Sequence, residues 1–499
     1  MIHWAAKKYL TRIAAQVEGA ISNPLEAQLR VFERLAKTLR GSEISIQSGF
    51  ERCRVLDDCR TLPISSSTTM APYWKEIFKH GRSEKRQIGR SKILGFARTS
   101  GTNGTPKDIP LNAAYLKSLD RTLARTVACR YHTTGEWHTL FSGKRILLGS
   151  RPLFGRSPTG LPICDISGFI TTRTPRYLQF LFAPKLKDLW INDWEEKVET
   201  LLDQLEGADV ISIVGIPALA MDFSKRACAR FGVSHLSRLW PNLSSYTYGG
   251  VHLNQEDKSD IKSAWFHREH PLHFIESYFA SEGPLAITFD PGDPGLALNT
   301  LENLYLFREN IDGEPFLFAH ELKKGKIYSI YITTPGGLIN YHMGDRIEVM
   351  EERPLLIHVA GREVDEISMT GEKLSLEQFE LALSSVGLNS SSLEESKVVV
   401  WVEAGDKPHL VWGIPESLFP SPAASISELV TRLDAALCRF NIHYEEALMI
   451  EKVIAPASAI AVPLQVFENY RKSALGVAQL KPKRLFKSEA DFRKIYQWE

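Results

Sequence analysis

ILGFARTSGTNGTPK, residues 93–107, decides the reading of this chain. Residues 93–97 form a short apolar run with the length of a strand. The run opens into Thr99, Ser100, Gly101, Thr102, Asn103, Gly104, Thr105, Pro106 and Lys107. Glycines let a backbone come close to an anion and turn its N–H groups toward it. The hydroxyls add donors and Lys107 adds a positive charge. The Walker spacing GxxxxGK[ST] is absent. Composition alone leaves two readings open, a Ser/Thr/Gly surface turn or a loop that grips a triphosphate. The order strand, hydroxyls, glycines, lysine favours the second.

The segments around this loop alternate between helix and strand patterns. Asn23 suits a helix N-cap, Pro24 its first turn, and Glu26 the acid of a capping box. Leu25, Leu29, Phe32, Ala36 and Leu39 then recur at helical spacing, and Gly41 follows. A second helix is predicted from Asp193, with Trp194, Val198, Leu201, Leu202 and Leu205 inward and Gly207 as its stop. Residues 210–214 read as a buried strand, and residues 217–231 as a helix. Beyond about residue 360 short strands (398–402, 410–414) alternate with helices (376–383, 426–440). The Ser/Pro-rich patch at 420–427 reads as a loop. The expected fold is α/β, with a large layered N-terminal domain over residues 1–360 and a smaller α+β domain over 361–499. The hinge is placed near Gly361 and Arg362.

Bulk properties narrow the function. Sixty basic residues face fifty-nine acidic ones, a net charge of +1. Such a chain has no field suited to a polyanion, so nucleic acid is not expected as a partner. The six cysteines include no CxxC pair, which argues for reduced thiols and against a zinc site. The N-terminal stretch MIHWAAKKYLTRIAAQ mixes charge into its apolar residues and does not read as a secretory signal. The apolar stretch at 210–221 is too short and interrupted to span a bilayer. A soluble cytoplasmic protein is expected, with no membrane partner. The composition leaves the oligomeric state open.

TSGTNGTPK resembles the phosphate loop of adenylate-forming enzymes. YFASEG (278–283) is similar to their second core motif, GGLINYHMGD (336–345) to the third, and AGREVDEISMTGEKLS (360–375) to the hinge that opens a mobile C-terminal domain. WPNL (240–243), YGGV (248–251) and FASEGPLAI followed by DPGDPG narrow the resemblance to the Gretchen Hagen family of auxin-responsive acyl acid amido synthetases, nearest its bacterial branch. GSEISIQSGF (41–50), NIHY (441–444) and QLKPKRL (479–485) fit as well. The resemblance runs from about residue 30 to residue 490.

It implies an N-terminal domain that binds ATP and the acyl substrate, and a C-terminal domain that swings. Thr99, Ser100, Gly101, Thr102, Asn103, Gly104 and Lys107 would hold the phosphates. Glu282 would bind magnesium, and Asp345 the ribose hydroxyls. Gly249, Gly250, Tyr278, Ala280 and Ser281 would form the acyl-adenylate pocket. Arg362 would sit at the pivot, and Lys481 or Lys483 would approach the site. The implied activity is ATP-dependent ligation of a small carboxylic acid to an amine, an amino acid in this family, through an acyl-adenylate.

The residue types suit that chemistry. Adenylation builds charge on phosphate oxygens, so it calls for magnesium, donors and a cation, without a covalent nucleophile. Magnesium usually takes only one or two protein carboxylates beside phosphate and water. Ser281 has no recognisable base, which excludes a serine hydrolase. HREHPLH (267–273) has metal-like histidine spacing, but Pro271 interrupts any helix and a surface loop is expected. His342 and Trp240 read as packing residues. The run Lys481, Lys483, Arg484, Lys487 also fits a solvated face. Departures from the family pattern at Asn340, Leu306, Pro284 and Leu285 are expected beside the acyl pocket. Transfer to a thiol, such as coenzyme A or a carrier arm, and a non-catalytic protein that keeps the fold are the rival readings.

Overall fold

The structure is a computed structural model. It describes residues 2–81, 87–89, 91–98, 107–149, 153–164, 166–191, 193–250, 253–267, 271–309, 314–362, 366–367, 369, 374–388, 398–405, 407–419, 423–450, 452, 454–474 and 483–498. The chain divides into two compact units, Met1–Val359 and Ala360–Glu499.

The first unit opens with α1 (Ile2–Ser22) and α2 (Pro24–Leu39). The composition reading excluded a signal for the first segment and assigned it no element. It folds because Leu10, Ala14, Val17 and Ile21 recur at helical spacing and are buried. Asn23 does cap α2, accepting from the Glu26 backbone N–H. The predicted stripe is misplaced on its face: Leu25 and Leu29 are exposed, and the buried face is Ala27, Gln28, Val31, Phe32, Leu35 and Leu39. Burial of Gln28 accounts for the shift. Its amide donates to the Thr300 and Asn303 carbonyls and its oxygen accepts from the Tyr305 N–H, so a polar residue lies on the core side.

The helices α3 (Glu43–Gln47), α4 (Ser67–His80) and α5 (Ala113–Thr134) follow, then α6 (Ile166–Thr172), α7 (Trp194–Leu205), α8 (Pro217–Phe231), α9 (Leu236–Leu239) and α10 (Gln255–Trp265). In α7 the Asp193 cap and the buried Val198, Leu201, Leu202 and Leu205 are as the spacing predicts.

The strands are β1 (Ile93–Arg98), β2 (Asp108–Asn112), β3 (Lys144–Leu148), β4 (Gly155–Arg156), β5 (Pro162–Cys164), β6 (Phe182–Ala183), β7 (Val210–Gly215), β8 (Ser245–Gly249), β9 (His273–Ala280), β10 (Gly283–Ile287), β11 (Leu296–Leu298), β12 (Leu304–Arg308), β13 (Ile327–Thr333), β14 (Tyr341–Glu352) and β15 (Leu355–Arg362). They build a four-stranded sheet, β2-β1-β5-β4, and an eleven-stranded sheet, β12-β13-β14-β15-β11-β10-β9-β8-β7-β3-β6. The β8-β7-β3-β6 end is parallel, and β8 pairs parallel with β9. From β9 toward β11 and β15 the pairing turns antiparallel. His273 therefore lies in a strand, not in the expected surface loop, and its Nε2 faces Glu136 at 3.4 Å.

The large sheet is strongly curved. Adjacent strands lie about 4.8 Å apart, so β9 and β14, four steps apart, would be separated by roughly 19 Å if the sheet were flat. Yet the Tyr278 phenol on β9 donates to the Asp345 carboxylate on β14. Short central strands allow the curl, since β10–β11 and β11–β15 each align only two residue pairs.

The second unit pairs β16 (Glu366–Ile367) with β17 (Leu374–Ser375). It also forms a sheet of β18 (Val399–Glu403), β19 (His409–Pro415), β20 (Ser458–Val462) and β21 (Leu485–Phe486) in the order β20-β19-β18-β21. Its helices are α11 (Leu376–Ser385), α12 (Ala423–Phe440), α13 (Ile442–Glu445), α14 (Leu464–Ala474) and α15 (Glu489–Tyr496). Here α12 already begins at Ala423, so much of the patch read as a loop is helical; the leucines and alanines that follow recruit it. Among the described residues no helix is long and apolar enough to cross a membrane.

Candidate active site

The hairpin β1–β2 presents the hydroxyl- and glycine-rich segment. Residues 99–106 lie outside the described residues, so Thr99, Ser100, Gly101, Thr102, Asn103 and Gly104 receive no placement. Arg98 pairs with Asp108 across the ladder, and the guanidinium grips the carboxylate twice at 2.8 Å. That bidentate contact ties the base of the segment together. Lys107 follows it, half-buried, just before β2.

The second motif forms the tight turn between β9 and β10. Ala280 pairs with Gly283, so Ser281 and Glu282 are the two turn residues. From Glu276 to Ala280 the strand is only half-buried, which leaves this end of the sheet approachable. The position after the turn is anchored, because Asn299 and Asn303 both donate to the Pro284 carbonyl at 2.9 Å.

The third motif leads into β14. Opposite β13, Ser329 aligns with Arg346 but Tyr331 with His342, so Met343, Gly344 and Asp345 bulge against a single residue. Gly344 has φ +71°, a conformation that costs glycine little. Bulges re-aim side chains and terminate regular pairing. Here the bulge delivers Asp345, 4% exposed, to the Tyr278 phenol. His342 stacks on Tyr331 with ring centres 4.8 Å apart, the packing role expected for it.

Two residues that the sequence reading did not select bring these motifs together. Asn112 ends β2 and caps α5, accepting from the Tyr115 N–H at 2.8 Å. Its amide nitrogen donates to the Pro335 and Gly336 carbonyls at 3.4 and 3.3 Å. The Tyr115 hydroxyl donates to the Ala280 carbonyl at 3.3 Å, beside the Glu282 turn. Burial, and then the charge of Glu282, pushes the Tyr115 phenol's ionisation upward, so it stays a neutral donor. The helix-capping position of Asn112 was the one local signal that could have found it.

The two glycines of the expected pocket also have backbone reasons. A Cβ on Gly249 would lie 2.6 Å from the Ser277 carbonyl oxygen, so strand packing calls for glycine there. Gly250, at φ +79° with open space beside it, keeps its conformational reason. The departures expected beside the pocket lie in the core. Leu285 and Leu306 are buried in the main apolar cluster. Asn340 is buried, with φ +44°, and donates to the Leu62 carbonyl at 2.9 Å.

Lys481 lies outside the described residues, and Arg362 is described only as the last residue of β15. The Lys483 ammonium sits 5.4 Å from the Phe486 ring centre, within the second unit.

The donors present fit a nucleotide with magnesium. Asp345 is an acceptor suited to hydroxyl donors, and Glu282, held at a turn tip, is one carboxylate, all that magnesium asks beside phosphate and water. Among the described residues no group of three metal-ligating side chains assembles.

Residues 13–204 match the GH3 family N-terminal domain, and residues 305–362 match the GH3 family central domain, together about half of the chain. The chain belongs to the GH3 family. GH3 is the Gretchen Hagen family to which its motifs point. The solved GH3.15 acyl acid amido synthetase is similar in fold, with a TM-score of 0.77 at 16% identity over 97% of this chain and 95% of that one. AtGH3.15 acyl acid amido synthetase in complex with 2,4-DB gives 0.74 at 17% identity, over 98% and 96%. A 2-hydroxyisobutyryl-CoA ligase in the postadenylation state gives 0.57 at 12%, over 94% and 90%. No curated protein sequence matches the chain. The α/β fold of this GH3 chain is similar to that of these two amido synthetase structures and this CoA ligase.

Proposed function

We propose that this GH3 protein is an ATP-dependent ligase that adenylates a carboxylic acid and transfers the acyl group to an amine, forming an amide and releasing AMP and pyrophosphate. The observation that carries the proposal is the meeting of motifs: Asn112, at the Ile93 end of the β1–β2 hairpin, and Tyr115 tie that hairpin, the Glu282 turn and the turn before the Asp345 strand to one another.

In the first step a carboxylate oxygen attacks the α-phosphorus, and the bond to pyrophosphate breaks. Residues 99–104 and Lys107 hold the phosphates in this reading, and Glu282 supplies the carboxylate for magnesium. Magnesium held by Glu282 would supply charge neutralisation at the phosphate oxygens. Asp345 accepts from the ribose. Because Tyr278 already donates to it, the ribose shares or displaces that phenol. Tyr278, Ala280, Ser281, Gly249 and Gly250 flank the adenylate.

In the second step an amine attacks the acyl carbon, AMP leaves, and the nitrogen gives up a proton. Rotation of Ala360–Glu499 about Gly361 and Arg362 belongs to this reading, with Lys481 or Lys483 serving adenylation. An amino acid is the proposed amine. The proposed compartment is the cytoplasm, supported by six unbridged cysteines.

The test is ATP–pyrophosphate exchange across a panel of aryl, indolyl and aliphatic acids, followed by an amine panel with mass detection of the conjugate. AMP release that depends on an amine and ignores thiols is expected. Release driven by coenzyme A in its place would favour thioester formation, and no exchange with any acid would leave a non-catalytic member of the family.

A further inference from the structure

We infer that Asn112 is a positioning residue for nucleotide binding, joining the phosphate hairpin to the turn that precedes the Asp345 strand; this rests on the ATP reading above. Asn112 is 1% exposed and has two separate tasks. Its oxygen caps α5 at Tyr115, and its nitrogen reaches two carbonyls more than two hundred residues further along the chain. Many residues can cap a helix, and Ser, Thr and Asp do so as well as Asn. At this buried position the accepting and donating atoms are two different ones, Oδ1 and Nδ2, and an amide supplies both where a hydroxyl has a single oxygen. Glutamine carries the same group on a longer stem and would place it elsewhere.

The turn that Asn112 holds is tightly built. The Thr334 N–H donates to the Leu338 carbonyl at 2.9 Å, and the Gly337 N–H to the Thr334 carbonyl at 3.1 Å. A Cβ on Gly336 would lie 3.1 Å from the Tyr115 ring, and one on Gly337 2.5 Å from Ile88. The turn is thus fitted against the first turn of α5, with Asn112 as the hydrogen-bonding link. Five residues past the turn, the chain reaches the Met343, Gly344 and Asp345 bulge. Loosening the Asn112 contact therefore frees the approach to Asp345, while the Tyr115 hydroxyl keeps the Glu282 turn tied to α5.

The discriminating variants are Asn112→Asp and Asn112→Ser. Both keep a capping oxygen. The aspartate has no donor and turns a negative oxygen toward two carbonyls, whereas the serine has one hydroxyl, on a shorter stem, to serve both sides. In ATP–pyrophosphate exchange, Asn112→Asp is expected to raise the KM for ATP about ten-fold, equivalent to about 1.4 kcal/mol, with kcat and the KM of the acid unmoved. Asn112→Ser is expected to move the same parameter less. A lower melting temperature with an unchanged KM for ATP would reduce Asn112 to a helix cap and overturn the inference. Should the wild-type protein catalyse no exchange, the ATP reading fails separately. Amide hydrogen exchange then decides: Asn112→Asp must speed exchange at residues 334–338 about ten-fold, and unchanged protection there overturns the link itself.

Discussion

Glu302 gives the most direct quantitative test of what holds α5 in place. Its side chain is fully buried in the connection between β11 and β12. Arg121 grips it at 2.7 and 2.5 Å, Arg125 at 2.6 Å, and Arg34 at 3.3 Å. Arg121 and Arg125 lie on the helix that carries Asn112 and Tyr115 at its start, and Arg34 lies on α2. Glu302→Gln keeps the shape and removes the charge. Arg34 and Arg121 are 40% and 44% exposed and can rehydrate, so their share is discounted. Arg125 is 9% exposed and would be stranded. Removing one partner of a buried pair costs about 3–5 kcal/mol. Taking about 2.1 cal/mol/K per residue as the unfolding entropy, a unit of this size loses roughly 4–7 °C in melting temperature.

The same contact predicts a pH dependence. Burial alone would push the Glu302 carboxyl up, but the Arg121 hydrogen bond and the charges of Arg125, Arg34 and Arg121 together hold it below its ordinary value. A depressed folded value means that the unfolded chain takes up the proton first. The stabilisation is therefore whole above the unfolded value, about 4.3, and is lost as pH falls through the lower folded value. Differential scanning calorimetry of wild type and Glu302→Gln between pH 7 and acid checks both parts. The gap should be widest near neutrality and close below about pH 4.3. A Glu302→Gln protein that melts within 1 °C of wild type at pH 7 would refute the reasoning, and so would a gap that widens in acid.

Glu282→Ala is expected to lower pyrophosphate exchange by about a hundred-fold or more with the circular dichroism spectrum unchanged; near-normal exchange would remove Glu282 from the metal role. Gly249→Ala forces a Cβ to 2.6 Å from the Ser277 carbonyl and should cost about 1–3 kcal/mol, read as a lower urea midpoint. Tyr278→Phe keeps the ring and deletes the donor to Asp345. We expect it to lower the melting temperature without nucleotide and to enlarge the rise in melting temperature that ATP produces, both measured by thermal scanning with and without ATP.

Much of the scaffold was legible in local patterns. The Asp193 cap, the inward face of α7, the strand at residues 210–215 and α8 follow from spacing and capping alone. The face of α2 did not, because Gln28 takes a core position through partners more than 270 residues away. The candidate site was legible as motifs, and its connections were not. The donor side of Asn112 faces carbonyls that no window around residue 112 contains, and the Gly249 requirement comes from the neighbouring strand. Residues flagged as departures, Leu285 and Leu306, could not be told from pocket residues by sequence, because strand residues alternate faces and a pattern does not say which face meets the core.

The Tyr278 contact bears on how tightly this site can hold ATP. A buried carboxylate gains from donors, and in the free protein Tyr278 is already one of them for Asp345. The curl of the sheet supplies the phenol in the meantime. Ribose binding then exchanges one hydroxyl donor for another, and the net gain falls toward the ordinary value of a hydrogen bond, about 0.5–1.5 kcal/mol, well below the full worth of a charged contact. The phenol's departure also releases an aromatic ring on β9, four residues before Glu282, on the half-buried stretch of that strand. Contact at the ribose end can thereby be felt at the turn that carries the proposed metal carboxylate. Tyr278→Phe separates these effects, because it leaves the ring in place and removes only the donor that the ribose has to replace.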